Sequence, residues 1–399
     1  GSFQQEKTKS IEQLEAVMPL EPAQGFMRLT PHDQSGTLVQ ALEAVPTRAS
    51  TRKERILNHL PKAITITEDK GNLLQDVQSG KISLDAFITQ LSDPELEALT
   101  IGYGPMNCPS GVPGNAGGFG GFSDSLKKKG IPEITTTDGP SGIRSAYQAS
   151  LVPIGTMLAC TWNPELIESL YEKVGQEMEQ IGTDVLLGPG MNLHRSPLCG
   201  RNFEYFSEDP LVSGKIAAAV VRGIQKNGRS ACPKHFACNN QEFKRDVHDS
   251  RVSERALREI YLKGFEICVK EAHPKLIMTS YNKINGVWSH YNDELVTTIL
   301  RGEWGFAGTV LTDWWMQPCV DPDFPLIANN AYRIRAQVDV LMPGGKAWNN
   351  PEIDRSLLLS IDKENGITRA EIQRSVKNVL RFMLDSPHFI SNSSKEKRD

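Results

Sequence analysis

What most constrains this sequence is where its polar clusters fall. From about Ile131 onward, short strand-like runs alternate with amphipathic helical runs, and nearly every strand-like run ends in charged or hydrogen-bonding residues. The strand-like runs are Glu133–Thr137, Asp184–Leu187, Ala231–Phe236, Leu276–Tyr281, Thr309–Thr312 and Val338–Met342. Helical patterns lie between and after them at Pro164–Ile181, Pro210–Asn227, Ser253–Glu271, Asn292–Trp304 and Thr368–Leu384. Such alternation predicts a parallel sheet with right-handed crossovers. Continuous apolar runs such as Val185–Leu187, Leu276–Met278 and Val340–Met342 fit strands buried on both faces. The polar clusters are Thr137-Asp138-Gly139-Pro140, Gly188-Pro189-Gly190-Met191-Asn192, Lys234-His235-Phe236, Thr279-Ser280-Tyr281-Asn282 and Thr312-Asp313-Trp314-Trp315. A closed (β/α)8 barrel gathers all carboxyl ends of its strands at one face, where its active sites sit. An open doubly wound sheet places ligands only around its switch point. Clusters on so many strands favour the barrel, and no G-x-G-x-x-G opens a helix after the first strand.

The region before this alternation reads differently. A chain of 399 residues exceeds a barrel of about 250 residues by roughly 100. Ser10–Met18 and Thr51–Leu60 have the pattern of short helices, as does Lys81–Glu97, and the stretch lacks the run of strands a sheet of its own needs. The expected organisation is an extended, partly helical linker arm over residues 1–94, a TIM-like α/β barrel over 95–385 and a C-terminal tail over 386–399. Gly102–Gly121 holds eight glycines in 20 residues together with Pro105, Pro109 and Pro113. That composition predicts a long mobile loop, either filler or a flap over a site.

Each cluster admits two uses. Asp313 follows Val310-Leu311 and precedes two tryptophans, an arrangement that suits a sugar site, with charge from the carboxylate and rings against the C–H faces of a pyranose. It would equally suit a helix cap beside a core tryptophan. Lys234-His235 offers two adjacent donors for ligand hydroxyls, or a lysine in a surface ion pair. Asp138 precedes Gly-Pro and could cap a turn. Arg201, within Gly200-Arg201-Asn202-Phe203-Glu204-Tyr205-Phe206, could bind a sugar or pair with Glu204. It is the joint arrangement that argues for a site.

Other chemistries are less favoured. His194, His235, His248 and His290 fall in no metal-ligand spacing, and no G-x-S-x-G occurs, so neither a metal nor a cofactor is expected. Lys and Arg number 44 against 48 Asp and Glu, a net charge of −4 that argues against a nucleic-acid partner. The longest apolar run, Ile216–Val221, has six residues, whereas a membrane span needs about 20. Seven scattered cysteines without C-x-x-C pairs suit a reducing, cytoplasmic setting.

In this order the clusters resemble the barrel domain of the family 3 glycoside hydrolases, notably the β-glucosidases, from roughly Asn72 to Leu384. Asp138-Gly139-Pro140-Ser141-Gly142-Ile143-Arg144, Gly200-Arg201-Asn202-Phe203-Glu204, Lys234-His235-Phe236, Met278-Thr279-Ser280-Tyr281-Asn282 and Thr312-Asp313-Trp314-Trp315 carry the likeness. The resemblance implies a retaining β-glucosidase with Asp313 as the nucleophile. It also implies a glucose-binding set of Asp138, Arg144, Arg201, Lys234, His235, Met278, Tyr281 and Trp314, acting on a β-glucoside or oligosaccharide. In multidomain members the acid/base carboxylate comes from a second, sandwich domain. No such domain is recognisable after Thr368–Leu384, so the acid/base is expected from an upstream domain, in a member of reversed domain order, or from a second chain. Two rival readings are a stand-alone β-N-acetylhexosaminidase-like barrel using His248 and an Asp of Asp246-Val247-His248-Asp249, and a non-catalytic carbohydrate-binding subunit.

Overall fold

The strand pairings return on themselves. In the computed structural model, which describes residues 25–32, 36–44, 49–317, 319–325, 330–347 and 350–388, the strand Glu133–Asp138 pairs in parallel with Val185–Leu187, and that strand with Ser230–Ala231. The chain beyond Ala231 continues the series through parallel bridges from Lys234 to Gly190 and from Phe236 to Thr279. Leu276–Met278 pairs with Thr309–Trp314, and Thr309–Trp314 with Val340–Met342. Leu341 then bridges Ile101 in parallel, Gly102 bridges Phe119 in antiparallel sense, and Gly118–Gly120 pairs back onto Glu133–Asp138. All six residues of Thr309–Trp314 are buried, as expected of a strand covered on both sides.

The helices start where local chemistry tells them to. Pro164–Ile181 opens with Pro after Asn163, whose side chain accepts from the Leu166 N–H, and it closes on Gly182 at φ 75°, the left-handed position that favours glycine. Asp209 caps Pro210–Gln225 through the N–H groups of Leu211 and Val212. Thr368 and Glu371 cap Arg369–Leu384 reciprocally. Helix Pro210–Gln225 buries Ala217 to Val221 in one core cluster, shared with Ile167, Tyr171, Phe236 and Phe265. Arg369–Leu384 buries Ile372, Val376 and Val379 in a second.

The chain divides into two compact units, Gly1–Asn58 and His59–Asp399. The division falls earlier than the boundary expected near residue 94, because Leu74, Phe87, Ile88 and Leu91 are buried in the same cluster as Phe382 and Met383. Lys81–Glu97 resolves into Leu84–Thr89 and Asp93–Leu99. In the smaller unit, Arg52–Asn58 is helical as expected, whereas the expectation that the stretch lacks the strands for a sheet of its own needs correcting. Gly25–Pro31 and Leu38–Ala44 form an antiparallel ribbon, on which Met27, Leu29 and Leu42 are exposed. Ser10–Met18 lies outside the described residues, as does the tail beyond His388.

The glycine-rich segment needs correcting only in part, for Met106, Asn107, Gly114, Asn115 and Ala116 between its paired ends border a cavity, as the flap alternative expects. It is paired at Ile101, Gly102, Gly104 and Gly118–Gly120, and its glycines allow backbones to meet. A Cβ on Gly118 would lie 2.5 Å from the Ile134 carbonyl oxygen, and one on Gly102 would overlap that of Pro343. Composition signalled the absence of side chains, and the reason is close approach rather than a free loop.

Candidate active site

All nine residues singled out from the sequence line one cavity of about 730 Å³: Asp138, Arg144, Arg201, Lys234, His235, Met278, Tyr281, Asp313 and Trp314. They reach it from the carboxyl ends of successive strands and the loops that follow, since parallel strands present those ends together.

Asp138, the last residue of Glu133–Asp138, accepts from Lys234 Nζ at 2.8 Å and lies 3.4 Å from Arg144 Nη2. Burial would raise its pKa, but the charge and hydrogen bond of Lys234, then Arg144, overcome this and hold it at about 2. It is an anion at any ordinary pH, and the turn-capping reading survives only as one bond, from the Gly139 N–H at 3.1 Å. Lys234 is therefore not in a surface pair, for its side chain is almost wholly buried.

Asp313 is placed differently. Its Oδ1 accepts the Trp314 N–H at 2.7 Å, while its Oδ2 is buried without a hydrogen-bond partner and lies 3.7 Å from His235 Nε2. Burial pushes the Asp313 pKa up, and Arg201, Arg245 and Lys234 pull against it. His235 is held far below its ordinary pKa by burial and by Arg201 and Lys234. It is a neutral hydrogen-bonding group, with Nδ1 3.3 Å from the Tyr205 hydroxyl. No strong ion pair competes with a ligand for Asp313 Oδ2.

The walls are fixed by their neighbours. Tyr281 donates to the Trp314 carbonyl at 2.6 Å, and Trp314 Nε1 donates to the Ala116 carbonyl at 2.9 Å, which seats the indole against the glycine-rich segment. Arg201 bonds Glu204 through Nε at 2.5 Å, so both uses read from its loop hold: it is paired and it lines the cavity. Asn192 accepts from the His235 N–H and donates to its carbonyl, each at 2.9 Å. The Gly188–Asn192 cluster thus positions His235 through its backbone.

Sequence reasoning missed Arg245, which lines the cavity, stacks 4.5 Å from the Tyr281 ring and pairs with Glu242 at 2.9 Å. The spacing of Glu242 and Arg245 was the available signal. It also missed Asn115, and it left Trp315 out of the binding set although it had read both tryptophans as rings for a sugar. His248 lines a separate cavity with Arg195, Cys199 and Tyr261, and Asp249 pairs with Arg251 at 2.8 Å. That arrangement does not bring a His–Asp pair to Asp313. Among the described residues, no group of three or more His, Cys, Asp or Glu could hold a metal ion, and no helix is long and apolar enough to cross a membrane.

Residues 122–382 match the model of the glycosyl hydrolase family 3 N terminal domain. The chain belongs to glycosyl hydrolase family 3. This family 3 chain is 43% identical over 388 residues to a β-glucosidase of Ruminococcus albus, covering 96% of itself and 40% of that protein. A solved structure of a β-glucosidase from Paenibacillus barengoltzii superposes with a TM-score of 0.78 at 46% identity, over 92% of this chain and 40% of that one. β-Glucosidase 3B from Thermotoga neapolitana in complex with glucose gives a TM-score of 0.70 at 39% identity, over 77% of this chain and 43% of that one. The chain thus spans about two fifths of the length of these relatives. Its fold is the α/β class expected from the sequence.

Proposed function

We propose that this chain is the (β/α)8 barrel part, with the arm before it, of a retaining β-glucosidase that removes terminal β-D-glucosyl residues. The observation that carries the reading is Asp313: a buried carboxylate at a strand's end, one oxygen unpartnered, in a cavity otherwise rich in hydroxyl-binding groups. Asp313 attacks the anomeric carbon as the glycosidic C–O bond breaks, giving a covalent glycosyl ester that water then hydrolyses. Asp138, Lys234, Arg201 and His235 hold the sugar hydroxyls by hydrogen bonds, mostly charge-assisted, and Trp314 and Met278 supply apolar contact.

The leaving oxygen needs a proton. Asp138 and Asp313 are the carboxylates lining the cavity among the described residues. Asp138, held at about 2, is too acidic to be protonated when needed. The acid/base is therefore supplied from outside this cavity's lining, by a further domain or a second chain. The short span against the relatives agrees with this.

The test removes the need for the acid. A dinitrophenyl glucoside with fluorine replacing the hydroxyl beside the anomeric carbon has a leaving group that departs unprotonated, and its glycosyl ester turns over slowly. Incubated with this chain, it is expected to add one fluoroglucosyl mass, located on Asp313 by peptide mapping and absent from Asp313→Ala. No adduct would favour the non-catalytic carbohydrate-binding reading, and an adduct on another residue would overturn the nucleophile assignment.

A further inference from the structure

His235 lines the cavity with Nε2 3.7 Å from Asp313 Oδ2, and its ring is neutral. A neutral imidazole carries one hydrogen, so one nitrogen donates and the other accepts. The partner of one nitrogen therefore fixes the role of the other. What His235 shows to the cavity is decided behind it, among side chains that the proposed chemistry does not use.

Tyr205 lies there, fully buried. Its hydroxyl is 3.3 Å from His235 Nδ1, and the two rings meet edge to face with centroids 6.4 Å apart. Gly190 makes room for this ring, since a Cβ there would lie 3.1 Å from Tyr205 Cε1 and 2.7 Å from Glu204 Oε2. Asn239, also buried, comes next. Its Nδ2 is 3.3 Å from the Tyr205 hydroxyl and 3.2 Å from Glu242 Oε1. Glu242 Oε2 in turn accepts from Arg245 at 2.9 Å.

The hydrogens along this chain follow from its carboxylate end. A carboxylate only accepts, so the Asn239 amide atom facing Glu242 is the nitrogen, and its second hydrogen goes to the Tyr205 oxygen. Tyr205 accepts there and has its own hydrogen to give. His235 Nδ1 is 3.3 Å away and the Asn239 carbonyl 3.5 Å. Giving the hydrogen to the carbonyl would make Nδ1 the donor of the imidazole. The Nε2 lone pair would then point at Asp313 Oδ2, which is buried without a hydrogen-bond partner, lone pair against lone pair. Giving it to the nearer Nδ1 leaves the ring hydrogen on Nε2, facing the carboxylate.

We propose that Tyr205 is a positioning residue, the last member of a relay Glu242–Asn239–Tyr205 that holds His235 as its Nε2–H tautomer. A sugar hydroxyl beside Asp313 then meets a donor that needs no reorganisation when it arrives. The consequence for sugar binding rests on the assignment of this cavity as the glucosyl site, whereas the tautomer itself does not.

Long-range proton–nitrogen NMR on the chain labelled with nitrogen-15 in its histidines reads the tautomer directly. The His235 signals are those that His235→Gln removes. The unmodified chain at neutral pH is expected to show a protonated Nε2 and an unprotonated Nδ1. Tyr205→Phe keeps the ring and deletes the hydroxyl, so the two nitrogen shifts should move toward each other as the tautomers mix. Calorimetric glucose affinity should fall on the order of fivefold in the same variant. A packing role alone would leave the tautomer where it was. Should Tyr205→Phe fail to fold, Asn239→Asp replaces it. An oxygen lone pair then faces the Tyr205 hydroxyl and takes its hydrogen, and His235 is expected to switch to Nδ1–H.

A protonated Nδ1 in the unmodified chain overturns the relay. A tautomer unmoved in the folded variant also overturns it. If the tautomer responds as expected while glucose binding does not change, the relay stands and the glucosyl-site reading is what fails.

Discussion

Asp138 and Asp313 line one cavity, yet their surroundings push them in opposite directions. Asp138 is held by Lys234 at 2.8 Å and Arg144 at 3.4 Å, and its pKa falls to about 2. Asp313 is buried with one oxygen unpartnered, and its pKa rises. The difference separates a binding carboxylate from a reacting one. A carboxylate whose lone pairs are already committed to ammonium and guanidinium groups accepts hydroxyl hydrogens and stays put. One that has been desolvated without a partner has a lone pair available to a carbon, and the cost of keeping it so falls on the stability of the fold.

The comparison breaks most visibly if Lys234 is removed. Lys234→Met leaves the partly exposed Asp138 with only the exposed Arg144 beside it, and breaking a pair whose lysine is buried costs about 3 kcal/mol. Urea unfolding of the variant at neutral pH should show that loss, together with a severe loss of glucose affinity. A variant of unchanged stability would mean that Lys234 does not hold Asp138. The next effect is one of pH. The folded pKa of Asp138 lies below the unfolded value of 3.8, so its contribution is present above that value and fades as pH falls toward about 2. Its size is about 2 kcal/mol. The stability difference between the unmodified chain and Asp138→Asn should therefore be near its full size at about pH 6 and shrink as pH falls below about 4. A difference that is flat down to about pH 3 would remove the electrostatic account of the pair.

Much of this site was legible in the sequence because parallel strands leave their chemistry at one end. The polar clusters at Asp138, Lys234-His235, Tyr281 and Asp313 needed only the rule that such ends converge. Helix Pro164–Ile181 keeps its expected bounds because Asn163-Pro164 starts it and Gly182 stops it. What was illegible depended on partners distant in sequence. Gly118 looks like loop until Ile134 is known to lie against it, and Gly188–Asn192 looks like a ligand cluster until Asn192 is seen to clasp the His235 backbone. Arg245 sits in a polar stretch where only the Tyr281 ring beneath it distinguishes it from a surface charge. The ribbon Gly25–Pro31/Leu38–Ala44 was passed over because its strands show no continuous apolar run. Leu257–Tyr261 and Glu294–Glu303 wind into wider turns that a fixed helical period does not anticipate.

The smallest effect is also the one that separates the two carboxylates most sharply. Because the folded pKa of Asp313 is raised, the native state binds its proton more tightly than the unfolded chain does. Stability is thus lost, not gained, as pH rises from the unfolded value of 3.8 through the folded one. Above the folded value the ionised Asp313 carries that penalty in full. Asp313→Asn keeps the shape and removes the charge, so it should stabilise the protein by about 1 kcal/mol, a melting temperature about 2 °C higher, while abolishing the fluoroglucosyl adduct. Asp138→Asn should lower the melting temperature under the same conditions. Two carboxylates in one cavity, given the same substitution, would then move stability in opposite directions. If Asp313→Asn instead melts lower, the attraction of Arg201, Arg245 and Lys234 outweighs the desolvation of its carboxylate. Asp313 would then be a second paired anion rather than one held ready to react.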